Sequence, residues 1–339
     1  MADVQKYGDL TPRTAGFAWK ELLKRAVPMM ITERFAQSKP LAKNQTKVVI
    51  FRRYNRLAVA TTPLAEGVTP AGSKPTYTDI QAIIQQYGDF ISFSDQLQDF
   101  HEDDVVGEYG DILSEQMAET KEVLNLAVLK SGTTVYYGGT GTTRATVNGF
   151  TTIGQLKKII RYLRDQKANP LTKILKATPN YATQPIPASY VALCDTDLVA
   201  DLQAVPGWKD VEIYADSSQR LHEYEVGSVA NIRFIASPLV DAWPDAGAAD
   251  ATATYIATTN AAAATDVYPI IILGADAWAT IPLRGENSGY PMTVSTKPSK
   301  SDALGQRGSV GWKMYHAGII LNDSFMARLE VNATLNPTS

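Results

Sequence analysis

A proline-free stretch of thirty residues, His101–Lys130, constrains the fold of this chain more than any other feature. Val106, Tyr109, Leu113, Met117, Leu124 and Val128 recur at steps of three, four or seven, which marks one side of a helix. Glu108, Asp111, Glu115, Glu119 and Glu122 form an acidic row on another side. Glu102, Asp103 and Asp104 crowd the first turn and complement the positive end of the helix dipole. Lys130 sits in the last turn, and Gly132 follows as the expected C-terminal cap. Such a helix would run roughly 40 Å at the usual rise per residue. That is long beside the ~8–20 residues usual in globular domains. A buried enzyme helix, a coiled-coil arm or the backbone of a plate-like subunit would each accommodate it. Gly107 and Gly110 weaken an exposed helix and the heptad pattern is not sustained, which argues against an autonomous coiled coil.

Charge is the second constraint. The net charge of −3 hides a strong asymmetry. Residues 1–57 carry twelve Lys/Arg against four Asp/Glu, and residues 58–130 carry three against thirteen. A basic arm ahead of an acidic body points to complementarity between copies, or to an arm facing nucleic acid; two solvated surfaces that never meet is the plainer alternative. Among 339 residues no apolar run approaches the ~18 that a membrane helix needs, so no membrane partner is expected. The N-terminus shows no hydrophobic signal region. Cys194 is the single cysteine, which excludes an intrachain disulfide and a cysteine zinc site and suits a reducing cytosol.

Residues 1–45 contain a short amphipathic pattern over Phe17–Val27, interrupted by Pro28, then a polar run to Asn44. This arm has too little apolar surface for its own core and must lie on something else. Thr46–Tyr54 reads as a strand, with strand character continuing through Leu57–Ala60. Pro63, Gly67, Pro70, Gly72 and Pro75 then make an irregular extended tip. Tyr77–Tyr87 and Asp89–Ser94 read as strand again, joined at Gly88. A lone hairpin of this kind is marginal in water, so its partner surface is expected on another subunit.

After the long helix, Ser131–Phe150 reads as a loop and Thr152–Asn169 as a helix ended by Pro170. Strands are expected at Ser189–Asp195, Val229–Ser237, Val267–Leu273, Trp278–Leu283, Gly311–Leu321 and Phe325–Val331, the last with a period of two. A short helix is expected over Asp197–Ala204. Trp243–Asp266, rich in Ala, Thr and Asp, reads as a mobile surface loop. Mixed element order around one dominant helix indicates an α+β fold.

Motifs for chemistry are missing. His101, His222 and His316 have no second ligand at metal spacing, and Cys194 lies in an apolar strand. The Gly138–Gly141 loop lacks the Lys-Ser/Thr of a phosphate-binding loop. Asp99–Asp104 could hold a divalent cation but reads more simply as a first helical turn. Aromatic residues are not interleaved with basic ones, so base stacking is not indicated. No cofactor or metal is expected, and the weight falls on assembly rather than catalysis.

Several blocks together resemble the major capsid proteins of N-four-like tailed phages, which adopt the Hong Kong 97-like capsid fold. They are Lys47–Tyr54, Thr61–Pro70, Gln86–Gly88, the long helix, Asp266–Pro269, Gly274, Gly305–Gly308, Gly311–Lys313 and Ile319–Asn322, colinear from about Phe17 to Leu329. The resemblance implies an N-terminal arm over 1–45 and an extended loop over 46–100 that reaches over a neighbour. It implies a peripheral domain over 101–187 with a spine helix at 103–130, an axial domain over 188–304 and a return to the peripheral domain over 305–339.

It also implies a non-enzymatic protein that forms hexamers and pentamers of an icosahedral shell around packaged double-stranded DNA, in a virion assembled in the host bacterial cytoplasm. The partners would be further copies, a portal protein, a separate scaffold or decoration protein, and the DNA bound non-specifically. On this reading Arg52, Arg53, Pro63, Gly67, Pro70, Lys74, Glu108, Asp111 and Glu115 are candidate intersubunit contacts. A cellular compartment shell of the same fold and a soluble α+β enzyme are the alternatives. Neighbouring genes separate the first from a virus; a small stable oligomer would mark the second.

Overall fold

The computed structural model describes residues 30–41, 46–63, 66–67, 69, 72–100, 105–171, 188–213, 220–250, 252–259, 264–282 and 304–336. The amphipathic pattern at Phe17–Val27, Pro70, the expected first helical turn at 101–104 and residues 283–303 lie outside them. The strands in chain order are β1 (Gln37–Ser38), β2 (Val48–Tyr54), β3 (Tyr77–Ile83), β4 (Gln85–Ser94), β5 (Val135–Tyr137), β6 (Tyr190–Cys194) and β7 (Lys209–Asp210). They continue with β8 (Glu225–Val229), β9 (Ile232–Ala236), β10 (Tyr268–Leu273), β11 (Trp278–Thr280), β12 (Arg307–His316), β13 (Gly318–Ile320) and β14 (Met326–Val331). The helices are α1 (Asp95–Phe100), α2 (Val105–Lys130), α3 (Ile153–Asp165) and α4 (Val199–Gln203).

A seven-stranded sheet, β5-β14-β10-β6-β9-β8-β7, forms the larger body. Its central strands β10 and β6 are continuously apolar because helices and loops cover both faces. On one face α3 buries Leu156, Ile159 and Leu163 against Phe234, Ile270 and Leu329. On the other, Leu126 and Leu129 of α2 and Ile31 and Phe35 of the arm pack with Ile271, Leu273 and Trp278. The C-terminal end of α2 thus lies under the sheet. Farther toward its N-terminus, α2 leaves the sheet and supports a separate ribbon of β4 and β12, where Leu113 packs with Phe93, Val310, Trp312 and Met314. One helix of roughly 39 Å therefore joins two bodies. The arm follows α2 and ends as β1, parallel to β11.

Several expectations are corrected. The strand break falls at Ile84, where the chain passes from pairing with β2 to pairing with β12, and not at Gly88. Gly88 lies inside β4, where a Cβ would meet the Trp312 carbonyl at 2.6 Å. Residues 55–60 are unpaired, because Asn55 closes the ladder through Thr76 and Thr78. Gly132 is not a left-handed cap; it is small because Met326 and Asp323 press against it.

Within the expected Ser131–Phe150 loop, β5 pairs in parallel with β14. α3 stops at Asp165, before Pro170, and Lys167 takes a left-handed conformation at φ 59. The Val229–Ser237 strand is two strands, β8 and β9, around a tight turn at Ala230 and Asn231, both at positive φ. β14 is buried on both faces, so its period of two does not mark a solvent side. The Trp243–Asp266 segment is held in place among its described residues. Asp266 accepts from Asp245 and Thr258, Asp250 accepts from Thr252, Thr254 and Tyr255, and Trp243 bridges Val267.

Candidate functional site

The β2–β3 hairpin projects from the body with its root anchored and its length exposed. At the root Ala82, Ile84 and Ile281 are buried, with Val49, Phe51, Tyr315 and Ile319 packed around them. Pairing runs from Val48↔Ile83 to Tyr54↔Tyr77. Arg52 forms a two-point bond to Asp79 at 2.8 and 2.9 Å and lies 4.1 Å from the Tyr77 ring centroid. Both partners are solvent-exposed, so water screens the pair and its effect on stability is small.

The hairpin carries apolar side chains with no cover. Val59 is 85% exposed, Tyr54 65%, and Ile50, Leu57, Tyr77 and Ile83 each more than half. Seven of the thirteen exposed large hydrophobic residues among those described fall between Ile50 and Phe90. Scattered exposed apolar residues are ordinary, whereas a concentration of this kind marks an interaction surface. Between hairpin and body lies an open cleft of about 580 Å³ lined by Arg52, Arg53, Arg56, Gln37, Asp276 and Asn322, among others. Arg53 donates to the Leu321 carbonyl across it at 3.4 Å.

The candidate contacts fall in two groups. Arg52, Arg53, Pro63, Gly67 and Lys74 belong to the hairpin and its tip, with Pro63 and Lys74 exposed and Gly67 at φ 73. Glu108, Asp111 and Glu115 lie on α2, Asp111 exposed and the other two partly buried, each with interactions inside its own chain. Among the described residues Arg52 pairs with Asp79, and Glu33 with Lys121 at 2.5 Å, which joins the basic and acidic blocks within one subunit.

Two buried polar networks escaped the sequence reading. Glu122 departs from the rest of its acidic row: it is 2% exposed and accepts from the Ile31 amide at 3.0 Å, the Thr32 amide at 2.9 Å and the Thr32 hydroxyl at 2.7 Å. Burial raises its carboxyl pKa even against these donors. Asn125 bonds Thr32 and, at 2.8 Å, His316 of β12. Burial lowers the His316 pKa to about 4. The second network centres on Glu330 of β14, which binds Arg144 and Arg328 at 2.8 Å, with Arg144 3.6 Å from the Trp243 ring centroid. Neither has a local signature: Arg328 is two residues from Glu330, but Arg144, Thr32 and His316 come from distant parts of the chain. Cys194 is fully buried, and burial pushes its thiol pKa far up. Among the described residues no cluster of His, Cys, Asp or Glu could hold a metal ion, and no helix is long and apolar enough to cross a membrane.

An anchored sheet body, a long helix and an uncovered hairpin match a known group of proteins. A family model described as phage capsid protein matches residues 77–329, most of the chain. This chain belongs to the phage capsid protein family. It is a major capsid shell protein with the Hong Kong 97-like fold, and it self-associates. Its place is the virion capsid.

Among solved structures, the capsid of Ralstonia phage GP4 aligns over 100% of both chains with a TM-score of 0.69 at 13% identity. The head of Helicobacter pylori bacteriophage KHP40 aligns over 96% of both at 0.62 and 12% identity. The holo-SrpI encapsulin complex from Synechococcus elongatus aligns over 94% of this chain and 95% of that one, at 0.53 and 13% identity. At such identities the likeness is one of fold. A comparison with curated proteins found no match.

Proposed function

We propose that this capsid protein forms the hexamers and pentamers of an icosahedral shell around the double-stranded DNA of a tailed phage, by physical assembly and without catalysis. The observation that carries it is the uncovered apolar hairpin, which a single subunit leaves in water and repeated contacts in a closed shell would bury. The proposed parts are an arm at 1–45, an extended loop at 46–100, a peripheral domain at 101–187 with its spine at 103–130, an axial domain at 188–304 and a return at 305–339. β14 of that return is hydrogen-bonded between β10 and β5, so the axial sheet and the return share one body.

In this reading the basic block at 1–57, with Arg52 and Arg53, lies against the acidic hairpin and spine of neighbours, where Pro63, Gly67, Pro70, Lys74, Glu108, Asp111 and Glu115 are further contacts, which makes assembly salt-sensitive. Portal, scaffold or decoration proteins would join the shell in the host cytoplasm. The narrower kinship to N-four-like phages rests on the sequence blocks. Electron microscopy of the purified chain, paired with light scattering, tests the reading. Closed shells or capsomer rings support it; a uniform small particle under every salt, crowding and scaffold condition overturns it.

A further inference from the structure

α3 is strongly two-sided. Leu156, Ile159, Ile160 and Leu163 are buried on the sheet, while Lys157, Lys158, Arg161, Arg164 and the following Lys167 are exposed. Asp165 is the one acid on the helix. None of the five cations makes an ion pair among the described residues, whereas Arg52, Lys121, Arg144, Arg233 and Arg328 each hold a carboxylate. Lys158 lies 5.4 Å from the Tyr136 ring centroid, and Arg164 lies beside the Tyr190 hydroxyl. Next to Lys158 runs a groove of about 370 Å³ lined by Tyr136, Tyr137, Gly139, Gly141 and Gln155.

We propose that this basic face of α3, with the groove at its side, is a contact for the phosphate backbone of double-stranded DNA. The inference rests on the reading of a DNA-enclosing shell and places the contact on α3 instead of the N-terminal arm. The cations from Lys157 to Arg164 span about 10 Å at the helical rise, with Lys167 just beyond the helix end. Duplex DNA offers a negative charge about every 1.7 Å, so a continuous strip meets a continuous polyanion. A protein counterpart is less suited. In the proposed shell Glu108, Asp111 and Glu115 face a neighbour's basic block, which leaves less acid free for such a strip. Contacts of this type position without reading bases, which suits DNA of any sequence.

The test uses the full-length chain and a mixed-sequence duplex oligonucleotide, with binding followed by fluorescence anisotropy across a salt series. Lys157→Glu, Lys158→Glu and Arg161→Glu together should weaken binding roughly tenfold or more at about 50 mM salt and flatten the salt slope by about 2.7. The corresponding glutamine triple variant should flatten the slope similarly and checks for misfolding. Reversal of the exposed Lys209, Arg220 and Lys313 serves as the matched control and should change binding far less. Equal loss in the control, or no binding by the unmodified chain at low salt, overturns the proposal. So does a triple variant that binds DNA normally but no longer forms shells, since α3 would then meet another subunit. Failure of the unmodified chain to assemble under any condition sinks the shell reading instead, whatever the DNA result.

Discussion

Thr32 donates both its amide, at 2.9 Å, and its hydroxyl, at 2.7 Å, to the carboxylate of Glu122, ninety residues later in the chain. This contact fixes the arm to α2 at the level where the helix passes under the sheet. Removing the carboxylate orphans two buried amides, and each such group costs about 1–3 kcal/mol. Glu122→Ala should therefore destabilise the protein by roughly 3 kcal/mol and raise amide exchange across residues 31–35. Glu122→Gln, which keeps an acceptor for both amides, should cost less. Equal exchange in both variants and in the parent would refute the clamp.

His316 governs the acid limb of stability. Its pKa falls from the usual 6.5 to about 4 because it is buried, and Lys121 nearby lowers it further while Glu33 opposes. A depressed histidine stabilises above its unfolded pKa, so the contribution is complete above pH 6.5 and is lost progressively toward pH 4. The loss amounts to roughly 3 kcal/mol. Glu122 acts in the opposite sense, since its raised pKa makes protonation favour the folded state as pH falls. Urea midpoints between pH 7 and pH 4 should fall less steeply in His316→Gln and more steeply in Glu122→Gln. Parallel curves for both variants would rule out this pair of titrations.

Glu330 sits between two arginines on a strand buried from both sides. Glu330→Ala leaves Arg328 buried without its carboxylate, and breaking a buried pair in this way costs about 3–5 kcal/mol. Arg144→Ala should cost less, because Arg144 is partly exposed and Arg328 would still hold the carboxylate. Thermal denaturation of the two variants checks the order; a larger loss for Arg144→Ala would be inconsistent with it.

Stability and assembly should separate on the hairpin. Tyr54→Asp and Val59→Asp alter side chains that the subunit leaves in water, so melting of the unassembled chain should stay close to that of the parent. Shell formation in light scattering should fall sharply. Arg52→Glu with Arg53→Glu should weaken assembly most at low salt. Normal shell yield from the aspartate variants would show that the hairpin is not a contact.

How much of this was legible in the sequence differs by element. α2 was readable from its periodicity and lack of proline, because helix formation is local in sequence. α3 was readable from its cap, where Thr152 and Gln155 bond reciprocally. The β4 boundary was not, since its partner β12 lies more than two hundred residues onward and the switch of partners at Ile84 leaves no local mark. Of the candidate contacts, Pro63, Gly67 and Lys74 announced an exposed tip through turn chemistry. Glu122, His316 and Glu330 carried no signal, because their burial is set by Thr32, Asn125 and Arg144 arriving from elsewhere.

The sequence by itself determined the long helix, the apolar sheet strands, the projecting hairpin and, through its colinear blocks, the capsid family. The tertiary structure alone decided which charges are buried and which are left in water. It took Glu122 out of an acidic row and clamped it to the arm, and it left the cations of α3 exposed on the surface. The physical reason is that hydrophobic periodicity is written along the chain, whereas the cost of burying a charge depends on partners that only folding brings within reach.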